Sequence, residues 1–83
     1  MEGKWFQIWF EDKQWILSCM YKNISDDLEA GYNPNGESIT KQRRDIDEFI
    51  NKFNDEMEHI KEKTKQQVEH WCYCDLKKRG AIA

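Results

Sequence analysis

Aliphatic residues are scarce in this chain. Leu, Ile, Val and Phe make up 16 of its 83 residues, close to the compositional border of disorder. No charge sign dominates either. Thirteen basic residues stand against sixteen acidic ones, for a net charge of −3, and a pI near 5.3 argues against an overall basic footprint for nucleic acid. The longest uncharged stretch, Gln14 to Tyr21, is far too short to span a bilayer. The opening residues show no basic region leading into an apolar run, so no secretory signal is expected. Three cysteines are too few and too unevenly spaced for a disulfide scaffold, and reduced thiols in a cytoplasmic, soluble protein are the expectation. There is no Gly-rich phosphate loop, nucleophile elbow or His-Glu-x-x-His run, so no enzymatic role is expected.

Large apolar bodies offset the shortage of aliphatics: four Trp, three Tyr and three Met. A chain this short buries roughly 60% of its unfolded surface, which suits one small domain of modest stability. Charge is uneven. Residues 1–40 carry three Lys against seven acids, and residues 41–83 carry ten basic against nine acidic residues. The mixed second half has the look of a solvated helix face.

Residue types over 4–22 favour a β-hairpin. Lys4 to Glu11 and Gln14 to Tyr21 are rich in aromatic and β-branched side chains, with Asp12-Lys13 as the turn, though not a preferred turn pair. In that register Phe6, Ile8, Phe10, Trp15, Leu17, Cys19 and Tyr21 share the core face. Trp5, Trp9, Ile16 and Met20 fall among polar neighbours on the other. Residues 23–39 read as a connector, with a turn at Asn33-Pro34-Asn35-Gly36. From about residue 40 the pattern becomes helical. Ile46, Phe49, Ile50, Phe53, Met57 and Ile60 recur every three or four residues and form a core-facing stripe. Lys77-Lys78-Arg79-Gly80 suits a helix end. A helix over 40–79 would be about 60 Å long, whereas eight-residue strands reach about 27 Å. The excess leaves three outcomes: pairing with a second copy, a break near Lys63-Thr64-Lys65, or a third strand over 68–76, where Val68, His70, Cys72, Cys74 and Leu76 alternate with other residues. The fold expected is therefore α+β, a hairpin packed on one long amphipathic helix (ββα), in a single domain.

Several side-chain sets invite a functional reading. Trp5, Trp9, Ile16 and Met20 would form an apolar patch on the second hairpin face, of the kind that marks partner surfaces, unless the connector or the C-terminal segment covers them. His70, Cys72 and Cys74 with Cys19 have ligand types suited to tetrahedral zinc. Their spacing departs from the usual structural-zinc pattern, however, and on a helix 72 points away from 70 and 74. Buried cysteine and a solvated histidine are the plainer expectation, so no metal or cofactor is assigned. Three basic clusters, Lys41/Arg43/Arg44, Lys61/Lys63/Lys65 and Lys77/Lys78/Arg79, could with strand aromatics hold single-stranded nucleic acid, but acids lie between them. The acidic loop around Asp26, Asp27 and Glu29 lacks calcium-loop spacing. The expected role is a non-catalytic protein-interaction or regulatory module that self-associates. A small nucleic-acid-associated regulator is the alternative. No membrane or small-molecule partner is expected.

Overall fold

The computed structural model describes residues 3–82 and contains three helices, α1 (Lys4–Glu29), α2 (Glu37–Lys61) and α3 (Lys65–Lys78), with no strand among the described residues. The expected α+β fold is therefore wrong. Residues 4–22 are helical rather than a β-hairpin, and residues 68–76 are helical rather than a third strand.

The apolar stripe on α2 explains the first correction. It runs from Ile39 through Ile46 and Phe53 to Ile60, and α2 is about 37 Å long at 1.5 Å per residue. A hairpin of eight-residue strands is too short to cover it, while the 26 residues of α1 reach about 39 Å. The aromatic and β-branched residues of α1 carry only a few tenths of a kcal/mol each of unfavourable helix propensity, less than the burial of one such side chain returns.

Glycines punctuate the chain. Gly31 (φ 99°) and Gly80 (φ 74°) each follow a helix in the left-handed conformation that side chains disfavour. At the first, the Tyr32 N–H donates to Asp27 O and the Gly31 N–H to Leu28 O. At the second, Ala81 donates to Leu76 O and Gly80 to Lys77 O. Both are the paired closing bonds of a Schellman motif. Between α1 and α2, the Gly36 N–H donates to Asn33 O and the Asn35 N–H to Asn33 Oδ1, which closes the Asn-Pro-Asn-Gly turn. Between α2 and α3, Thr64 forms a capping box. Its Oγ1 accepts from the Gln67 N–H while Gln67 Oε1 accepts from the Thr64 N–H. That reciprocal pair favours starting a new helix over continuing α2.

Cross-contacts set the topology. Asp27 with Gln42, Lys13 with Glu56 and Phe10 with Phe53 run α2 antiparallel to α1. Glu69 at Trp5, Asp75 at Trp9 and Arg79 at Asp12 run α3 parallel to α1. The molecule measures 47 × 25 × 18 Å. Helix α1 is the shared element, with α2 along its whole length and α3 along its first half only.

The main core lies where three helices meet. Trp9, Ile60, Cys72 and Leu76 are buried there, with Phe6, Phe10, Phe53, Met57, Val68 and Trp71 packed around them. Ile39 and Ile46 are buried further along α2. Trp15, which the hairpin register places in the core, is 68% exposed.

Candidate interaction surface

Helical geometry places the four patch residues on one side of α1. At 100° per residue, positions 5, 9, 16 and 20 fall within about 60° of arc. The structure then divides them. Trp9 is fully buried, stacked on Phe53 at 5.7 Å and edge-on to Trp71 at 5.4 Å, with its indole Nε1–H donating to Asp75 Oδ2 at 2.9 Å. Trp5 is half-buried, edge-on to Tyr73 at 4.9 Å. These two are core and flank, not an open surface, because α3 lies over them. Ile16 and Met20 lie one and two turns beyond Asp12, the residue level with Arg79 near the end of α3. Both are half-buried.

Past that level, α1 and α2 form a two-helix arm. An apolar groove of about 280 Å³ starts at the three-helix end, at Phe10 and Phe53, and runs into the arm, lined further by Lys13, Gln14, Leu17, Phe49 and Ile50. No α3 residue lines it. Trp15 and Tyr21, 68% and 52% exposed, project from the same stretch of α1. Further along, Tyr21, Ile24, Ile46, Arg43 and Asp47 line a second shallow depression.

Charged groups brace the three-helix end. The Asp12 carboxylate accepts from Arg79 Nη2 at 2.6 Å, and Arg79 Nε lies 3.3 Å from Asp75. Burial works against the Arg79 charge, but the hydrogen bonds and charges of Asp12 and Asp75 outweigh it and raise the guanidinium above its ordinary value. The network therefore ties the far end of α1's covered stretch to the end of α3. Lys13, 7% exposed, sits 3.7 Å from Glu56 and over the rings of Trp9 and Phe49. Glu69 is 4% exposed, and its Oε2 accepts from the backbone N–H groups of Trp5 and Phe6 at 2.8 and 3.1 Å. Helix α1 has no side-chain cap of its own at Gly3. A carboxylate from α3 does that work at its positive end. The sequence marks none of these roles for Lys13, Glu69 or Asp75, because an isolated acid or base in a helical run carries no sign of a partner more than forty residues away.

The zinc quartet does not assemble. Cys72 packs in the core cluster with Trp9, and Cys19 lies ten residues further along α1, about 15 Å at helical rise. His70 and Cys74 do share the exposed side of α3, with Sγ 3.6 Å from Nε2. Burial first, then the carboxylates of Glu69, Asp75 and Glu56, pushes the Cys72 thiol up from 9.0 to about 12. That places it far from thiolate chemistry. Among the described residues no group of three or more His, Cys, Asp or Glu is gathered as a metal site.

The basic clusters also stay apart. Arg43 donates to Pro34 O at the tip of the arm, Lys61 pairs with Glu58 at the opposite end of α2, and Arg79 is engaged with Asp12 and Asp75. No helix among the described residues is long and apolar enough to cross a membrane.

No family model, curated protein or solved structure matches the chain.

Proposed function

We propose that the protein is a non-catalytic interaction module that self-associates through the open arm of α1 and α2. The observation carrying this reading is that α3 covers only the first half of α1 and leaves Ile16, Met20 and the groove beside Leu17 and Ile50 without a third helix. Grooves of this kind, edged by polar side chains, tend to be interaction sites. A second copy is the occupant that needs no other chemistry. Each arm is already an antiparallel helix pair, so two arms laid face to face complete a four-helix core. A two-fold contact requires a self-complementary patch, and the arm carries both a groove and, on the groove side, the projecting ring of Tyr21.

The test is mass in solution by light scattering on a sizing column, across a range of concentrations. The wild-type chain is expected at about twice 10.1 kDa. Ile16→Glu with Met20→Glu is expected to give a monomer with unchanged helical circular dichroism, since both residues lie beyond the three-helix core. A monomeric wild type, or a dimer that survives the double substitution, overturns the reading.

A further inference from the structure

The exposed side of α3 carries a pair of metal-ligating atoms at chelating distance. His70 and Cys74 are four residues apart, which sets both side chains on one face of the helix. Both residues are exposed, and Cys74 Sγ lies 3.6 Å from His70 Nε2. That separation has a specific meaning. Zinc bonds of about 2.3 Å to sulfur and 2.0–2.1 Å to imidazole nitrogen, opened to a tetrahedral angle, place the two ligand atoms about 3.5–3.6 Å apart. The two atoms, here in hydrogen-bond contact, therefore already stand at the separation a tetrahedral ion requires of two ligands.

From this geometry we infer that His70 and Cys74 form a two-point site on α3 for a zinc-group divalent cation. Imidazole and thiolate suit a borderline-soft ion over magnesium or calcium, which prefer oxygen. Two His at the same i, i+4 spacing on a helix are a recurrent zinc-binding pair, and here a thiolate replaces one of them. The site is open. It lies in a notch shared with Lys63, Gln66, Gln67 and Trp71, so solvent completes the coordination. On binding, a metal–sulfur bond forms, the thiol proton leaves to solvent, and the metal's oxidation state does not change. Cys72 takes no part, being buried in the core cluster.

Cadmium is the probe, because its bond to thiolate gives an ultraviolet charge-transfer band. Titration of the reduced full chain with cadmium is expected to raise that band to saturation at one ion per chain. Cys74→Ser is expected to abolish it. His70→Gln is expected to weaken binding by about tenfold or more, since even outer-shell partners of a metal site are worth 10–100-fold. As a check without substitutions, zinc is expected to shift the ring resonances of His70 and leave those of His59 in place. No band in the wild type, a band that persists in Cys74→Ser, a His70→Gln titration that superimposes on the wild type, or an unmoved His70 ring would each overturn the inference.

Discussion

Replacing Trp9 by Ala probes the fold at the point where all three helices converge. The side chain is fully buried. It stacks on Phe53 and Phe6, meets Trp71 edge-on and lies under the Lys13 ammonium. Removing a buried aromatic of this size costs about 3–5 kcal/mol in lost transfer free energy and cavity formation. The lost indole hydrogen bond to Asp75 adds to that. The addition falls toward the low end of the about 1.5–3 kcal/mol typical for a charged acceptor, because Asp75 keeps Arg79 at 3.3 Å and is partly open to water. A chain of this length has a total stability of about 4–12 kcal/mol, at 0.05–0.15 kcal/mol per residue. Trp9→Ala should therefore remove most of it. The assay is urea unfolding followed by far-ultraviolet circular dichroism, which does not depend on the deleted fluorophore. Trp9→Phe separates the two contributions, since it retains an aromatic ring and loses the N–H donor. Trp15→Ala is the internal control and should fall within about 0.5 kcal/mol of wild type, as exposed positions do. A Trp9→Ala loss below about 1 kcal/mol, or one no larger than that of Trp15→Ala, would refute the assignment of Trp9 to the core.

Three further outcomes are expected. Glu69→Ala removes the acceptor at the start of α1 and should cost about 2 kcal/mol, read as a lower thermal midpoint, while Glu69→Gln keeps an oxygen for the two N–H groups and should cost less; a Glu69→Ala midpoint equal to that of wild type would show that the cap contributes nothing. Lys13→Met alone strands Glu56 and should destabilise more than Lys13→Met with Glu56→Met, because breaking a largely buried pair is worse than replacing both partners; a double-mutant cycle in urea decides this. Cys72 makes stability pH-dependent above 9. Its folded value is raised to about 12 from 9.0, so between those values the unfolded state has lost the thiol proton and the folded state has kept it. Stability contributed by this group is thus fully present below 9 and falls with a limiting slope of about 1.4 kcal/mol per pH unit toward 12. Unfolding curves of Cys72→Ala, compared with wild type across that window, should lack this slope.

Local chemistry accounts for much of what was legible before any coordinates. The Asn-Pro-Asn-Gly turn, the stripe from Ile46 to Ile60 and the end of α3 at Gly80 depend on neighbours within one or two turns of chain, and their physics is contained in short windows. The capping box at Thr64 is equally local, although a break there is only one of three outcomes the sequence leaves open. Residues 4–22 are the opposite case. Their aromatic and β-branched residues suit a strand, and alternation over eight residues satisfies a two-residue period. The same residues also satisfy a helical period, with Trp5, Trp9, Ile16 and Met20 on one side. What decided between the two was length, because the α2 stripe needs a partner about as long as itself. No glycine or proline interrupts the chain between Gly3 and Gly31, and that uninterrupted stretch was the signal of a long helix within the sequence itself.

Tertiary structure alone decided which members of a patch became surface. The four residues Trp5, Trp9, Ile16 and Met20 are equivalent in sequence pattern, yet α3 buries Trp9 and sets Tyr73 against Trp5, while Ile16 and Met20 lie past its end and stay half-buried. It also chose the partners of Glu69 and Lys13, whose buried charges are met by a donor pair or a counter-charge from another helix, and brought the Trp9 indole to Asp75. It separated Cys19 and Cys72 from His70 and Cys74, and it set the last two at chelating distance. Periodicity states which side chains share a face. Only packing states how far along that face the cover extends, because cover depends on where a second and a third helix end.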